Sequence, residues 1–272
     1  MGRKKKTQPA LWNFLFEGLW VEGISTFALN ARFWLGGALV FVAIWTPLNY
    51  FSFPLAASHA NPLGKPALAL VMLLVAAAQT YFFMASFLNQ QPIKGSFELS
   101  LENFLYMTGV FLLLFLIPVA GELAWTYSET VLSGFGMAII VYPILAFMIA
   151  ILLLRFIGVI PLAVNRVKSP FALSWKITSG KLWRLIWNIL ILSLIISAPL
   201  TVIGLIISTL VERFPRESIS QTSVLVLSLM DSLVCVAISG LYSAFSYSCC
   251  RALYGEYVVT KLKIDRRALR RS

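Results

Sequence analysis

The sequence predicts an all-α, polytopic membrane protein of about six transmembrane helices with short helices along the membrane surface. Three observations predict it: an apolar composition, six apolar stretches of spanning length, and a one-sided distribution of Lys and Arg. Of the 272 residues, 59% are hydrophobic and 12% charged, about half the charged share of a soluble domain. A soluble fold of this size keeps a substantial polar exterior, which so few polar side chains would not cover. Lipid as solvent removes the conflict.

A helix needs about 20 mostly apolar residues to cross a bilayer. Such stretches fall near 33–53, 66–88, 104–124, 135–163, 184–210 and 223–250. Helix is the open-chain form that satisfies the backbone inside lipid. The fourth stretch exceeds one crossing, so it must tilt, kink or protrude, with Pro143 and Pro161 as kink points.

Orientation follows from the 22 Lys and Arg residues, which exceed the 11 Asp and Glu and give a net charge of +11. With six spans, only Lys65, Arg213 and Arg216 fall on the side opposite both termini, and Arg155 falls within a span. All the others share the terminal side, which the positive-inside rule makes cytoplasmic. The chain then divides into a basic cytoplasmic N-terminus with an interfacial helix (1–32), a six-helix transmembrane domain (33–250) and a basic cytoplasmic tail (251–272). A cell (inner) membrane, multi-pass placement is expected. Trp12, Trp20, Trp34, Trp183 and Trp187 fall near the proposed cytoplasmic boundary, and Trp45 and Trp125 near the outer one, the level that amphipathic rings favour. The expected partner of the excess charge is a bilayer with anionic headgroups, and nucleic acid is not expected because no reading module accompanies it.

Three stretches resemble one another. STFALNARFWLGGALVFVAIWTP (Ser25–Pro47) lies without gaps on SFELSLENFLYMTGVFLLLFLIP (Ser96–Pro118), and a longer third runs from Ser169 to Pro199. Each reads as a short surface helix followed by a span with proline toward its outer end. A threefold repeat follows, with units near 10–92, 93–168 and 169–260. Chance similarity among apolar spans is the competing reading. In the first surface helix, Trp12, Phe16, Leu19, Trp20 and Phe27 recur at helical spacing. Beside Lys4–Lys6 this fits either an interfacial anchor or a helix packed on the bundle. In the third, Ser169 is the expected N-cap and Pro170 the first helical residue. Phe171, Trp175 and Leu182 form its apolar stripe, and Gly180 ends or bends it.

The run PLAVNRVKSPFALSWKITSGKLWRLIWNIL carries a family resemblance. It resembles the bacterial membrane domain attached to some glycerophosphoryl diester phosphodiesterases, and the stand-alone YciC-like membrane proteins. The matching positions are Pro161, Ser169, Pro170, Ala172, Leu173, Ser174, Gly180, Lys181, Trp183 and Arg184. Many relatives carry an acidic residue before the Ser-Pro helix, where this chain has Asn165, Arg166 and Lys168. The resemblance implies a six-helix membrane domain and supplies no catalytic residues; the phosphodiesterase domain itself has no counterpart in the sequence.

Two ionisable residues fall inside spans and form the candidate intramembrane polar site, Arg155 and Asp231. They sit at different depths, so direct pairing is not expected, and Arg155 can snorkel toward the surface. Asp231 must face protein or water. Ser228, Ser232, Cys235, Ser239, Ser243 and Ser246 continue it as a small polar stripe suited to close helix packing. Packing is therefore the first reading of Asp231, and a proton or cation site the second. His59, Glu122 and Glu129 read as solvated residues of outer loops. Cys235 and the adjacent Cys249 and Cys250 read as small packing residues, since no CxxC or Cys/His spacing is present. No cleavable signal peptide is expected after the basic start. With no HExxH, GxSxG, phosphate-binding loop or dinucleotide fingerprint, no catalytic residue, cofactor or metal is expected. The leading expectation is a non-enzymatic scaffold or accessory subunit in envelope or lipid-related processes. A transporter or channel using Asp231 and Arg155 is the second, and a membrane enzyme acting on lipid the third.

Overall fold

A computed structural model describes residues 18–57, 64–93, 98–132, 138–212 and 221–269. Among these the regular structure is helical: α1 (Leu19–Leu29), α2 (Ala31–Ala57), α3 (Gly64–Gln90), α4 (Leu101–Leu132), α5 (Ala138–Arg155), α6 (Val159–Val164), α7 (Pro170–Thr178), α8 (Leu182–Glu212) and α9 (Gln221–Leu269). Four apolar segments are long enough to cross a membrane alone, and the number reaches six when each of two sharply bent helix pairs is one crossing. The protein is an all-α polytopic membrane protein, as its composition requires.

Helix α9 is the spine. One of its faces, with Val236, Ala244 and Tyr247, meets Phe83, Met84, Phe87 and Leu88 of α3 and Met107 of α4. Another, with Phe245, Cys249, Cys250 and Leu253, meets Leu19, Leu154, Leu162, Leu185 and Leu192. Small residues bring the partners close. A Cβ on Gly23 of α1 would lie 2.9 Å from the Phe245 Cα. Buried Ser228, Ser232 and Ser243 lie along the same helix, in keeping with the packing reading of the polar stripe. Cys249 and Cys250 are buried too, whereas Cys235 is exposed and drops out of that stripe. At 49 residues and ~1.5 Å per residue, α9 far exceeds one crossing, and its helix continues through Arg251 as far as Leu269 rather than ending near 250.

The two bent pairs are α1–α2, at 89°, and α7–α8, at 94°. At the first corner the Asn30 Nδ2 donates to the Thr26 carbonyl (2.7 Å). The Trp34 indole N–H donates to the Phe27 carbonyl (2.8 Å), and the two rings stack at 4.2 Å. Trp34 thus spends its N–H on the corner instead of on interfacial water. Helix α1 lies against α9, which decides between the two readings of its amphipathic face in favour of bundle packing; Trp12 and Phe16 lie outside the described residues. Gly180, at φ +71°, turns the second corner, a left-handed conformation that glycine adopts without steric cost.

The first and third repeat units therefore share a short helix set at a right angle to a span. The second does not extend this pattern over its described residues. Residues 98–100 are non-helical before α4, and the Ser100 Oγ accepts from the Asn103 N–H (3.2 Å) as an N-cap. Helix α4 also runs on to Leu132, which places Glu122 and Glu129 on helix rather than in a loop. His59 lies outside the described residues.

Replacing Gly23 by Leu is expected to lower the thermal unfolding midpoint in detergent, at a cost of about 1–3 kcal/mol, because α1 can no longer approach Phe245. Gly36→Ala serves as its control. A Cβ there meets nothing within 4 Å, and the midpoint should hold or rise slightly, as Ala favours a helix interior over Gly.

Candidate functional site

The fourth crossing, Pro143–Val164, is broken, and the break organises the basic end of the bundle. Pro161 has no N–H, so the Ile157 carbonyl loses its helical donor. Ser246 of α9 supplies one, its hydroxyl lying 2.5 Å from that oxygen. Two residues before the proline, the Val159 N–H turns to Phe156 (2.9 Å) and frees the Arg155 carbonyl. The Ser174 hydroxyl of α7 donates to it at 2.8 Å and accepts the Gly158 N–H at 3.3 Å. The kink predicted at Pro161 thus shows itself a turn earlier, between Arg155 and Val159.

Arg155 does not enter the apolar core. Its Nη1 donates to the Thr178 carbonyl (3.0 Å), and its guanidinium carbon sits 5.1 Å from the Trp175 ring centre. It holds the turn of α7 against the end of α5. Asp231 stands elsewhere. Its Oδ2 accepts from the Asn49 Nδ2 of α2 (2.9 Å), which also donates to the Ser232 Oγ (3.1 Å), while Cys235 approaches its Oδ1 at 3.9 Å. Arg155 and Asp231 belong to different hydrogen-bonded groups and do not form one polar site. A carboxylate joined to an amide and a hydroxyl on packed helices is an interhelical tether.

The family-like residues are brought together around α7. Ser169 is the N-cap, but its backbone is left-handed (φ 56°) and its side chain makes no capping bond; the expected hydroxyl cap is absent. Pro170 opens the helix as predicted. The buried face is Pro170, Ser174, Ile177 and Thr178, not the stripe of Phe171, Trp175 and Leu182. Phe171 and Trp175 pack instead beside Phe156, at 5.5 and 5.9 Å. Phe171 and Trp175 of the predicted apolar stripe flank the broken crossing, and the small hydroxyl residues Ser174 and Thr178 stand against its exposed main chain. After Gly180, the Lys181 Nζ and Arg184 Nη1 bind the two carboxylate oxygens of Glu256 on α9 (2.6 and 2.8 Å). Trp183 is exposed.

Beyond that ion-pair group the turn after α6, helix α7 and the end of α9 enclose a cleft of about 610 Å³. Arg166, Lys168, Lys176 and Lys261 line it, with Tyr254 and Tyr257. Arg166 pairs with the exposed Glu102 of α4. Asn49, Glu256 and the two tyrosines were not singled out from sequence. Glu256 carried a local signal as one of two acids, with Asp265, among the cations after residue 250; Asn49 had none. No cluster of His, Cys, Asp or Glu able to hold a metal occurs among the described residues.

Ser174→Ala should destabilise the protein by about 1–3 kcal/mol, since the Gly158 N–H loses its partner and the Arg155 carbonyl its 2.8 Å donor. Thermal unfolding in detergent measures this. Glu256→Gln should cost no more than about 1 kcal/mol, because the pair is roughly 40% exposed and water screens it, and that loss should shrink further in high salt. In comparisons with known proteins, no family model, curated protein or solved structure matches the chain.

Proposed function

We propose that this chain is a non-enzymatic scaffold or accessory subunit of the bacterial inner membrane, serving envelope or lipid-related processes with both termini in the cytoplasm. The observation that carries the reading is the braced basic end. Helix α7 and the turns beside it, held by the second corner and the broken crossing, meet the end of α9 and present cations there. A frame that spends its polar groups on holding itself together suits a docking or organising role. The cations face anionic headgroups rather than nucleic acid, since exposed Trp175, Trp183 and Trp187 stand among them, the arrangement of an interfacial belt. We further propose kinship with the phosphodiesterase-linked and YciC-like membrane domains, supported by the residues from Pro161 to Arg184.

Orientation is tested by fusions after Ser272. A fluorescent reporter that folds only in the cytoplasm should light up, and alkaline phosphatase at the same position should stay inactive; the reverse pattern would invert the topology. The scaffold role is tested by reconstitution in liposomes. Ion and small-solute flux should match protein-free vesicles, and a flux that Asp231→Asn abolishes in folded protein would make the chain a transporter instead.

A further inference from the structure

The cleft between α7 and α9 is a site for a ligand of particular chemistry. Its cations come from three places in the chain, the turn after α6 (Arg166, Lys168), helix α7 (Lys176) and the end of α9 (Lys261), so the tertiary fold gathers them. Like charges held together repel, and Glu102 neutralises only Arg166. Lys168, Lys176 and Lys261 carry no ion pair among the described residues. The backbone adds to the same field. Arg166 and Ser169 both take left-handed conformations, φ 52° and 56°, which cost energy in residues other than glycine and turn the chain from α6 into α7 along the cleft. The N-terminal end of α7, with no side-chain cap from Ser169, lies at this surface and favours negative charge.

Depth selects the source of that charge. Helix α7 is set at 94° to α8, so it runs along the membrane surface when α8 crosses. Trp175 and Trp183 flank it at 47% and 68% exposure, the level of lipid headgroups. A cleft there meets lipid phosphate at far higher local concentration than any dissolved anion. The charge selects further. A zwitterionic headgroup or a single phosphodiester would leave most of the three unpaired ammonium groups uncompensated, and two or more phosphate charges would satisfy them. Lysine ammonium groups suit phosphate oxygens as point charges, and basic pockets beside membrane helices bind such headgroups in general. We propose that the cleft lined by Arg166, Lys168, Lys176 and Lys261 binds the headgroup of a phospholipid carrying at least two negative phosphate charges. This rests on the proposed headgroup-facing basic end, but on neither the scaffold role nor the orientation, which the reporter fusions test separately.

The test uses the full chain, purified in non-ionic detergent and stripped of lipid, with bound lipid counted by native mass spectrometry. Cardiolipin should be retained and phosphatidylcholine not. The triple variant K168Q/K176Q/K261Q should weaken cardiolipin binding by about tenfold or more. The variant K4Q/K5Q/K6Q, which loses the same charge from the N-terminal basic run, should stay within about twofold of the parent. Glu102→Gln, by releasing Arg166, should tighten binding a few-fold, roughly as one added cation does. Because that is a gain, it decides the matter even if the triple variant folds poorly. Equal loss in both triple variants would overturn the site, as would cardiolipin binding unchanged by Glu102→Gln. Displacement of the lipid by millimolar inorganic phosphate would overturn the lipid assignment in favour of a dissolved phosphate ligand.

Discussion

Inside lipid, a main-chain carbonyl that loses its helical donor must find another, and that constraint shapes the structure around the fourth crossing. Pro161 and Gly158 strand two carbonyls and an N–H at the junction of α5 and α6. The donors and the acceptor that answer them come from Ser246 on α9 and Ser174 on α7. Meeting the constraint thus fixes α7 across the end of the broken helix and locks both to the spine. Arg155, whose carbonyl is one of those rescued, adds its guanidinium to the carbonyl at the far end of α7.

From that junction the rest of the basic end follows. With α7 pinned, Gly180 sends α8 away at a right angle, and Lys181 and Arg184 arrive opposite Glu256. The same placement sets Lys168 and Lys176 across from Tyr254, Tyr257 and Lys261. The first corner is built by different means. There Asn30 and Trp34 bond back to α1, and Gly23 allows α1 to nest on Phe245. Two unrelated local solutions produce two corners within a few degrees of each other, 89° and 94°. Shared geometry with unshared hydrogen bonds is weaker support for a common repeat than shared chemistry would be.

The fold class and much of α7 were legible in the sequence because they depend on local or compositional physics. Apolar length marks the crossings, Pro170 marks a helix start, and Gly180 marks the turn that follows. Reading failed where a side chain has two plausible faces. Phe171 and Trp175 marked an apolar stripe, yet the buried face holds Ser174 and Thr178, whose hydroxyls reach the stranded Arg155 carbonyl. Likewise, Ser169 stands at the cap position without capping, since its left-handed backbone turns the chain into the cleft instead. Asp231 was recognisable as costly in a span, but its partner Asn49 lies 182 positions away, and nothing local in either segment announces the other.

By itself the sequence determined that this chain dissolves in a bilayer as helices, because transfer of apolar surface depends on composition and order alone. Only the tertiary structure decided which polar groups meet. It separated Arg155 from Asp231, joined Glu256 to Lys181 and Arg184, and drew lysines from distant segments into one cleft. Those pairings depend on helix rotation and on where a crossing breaks, quantities set by packing and by main-chain hydrogen bonding across the bundle.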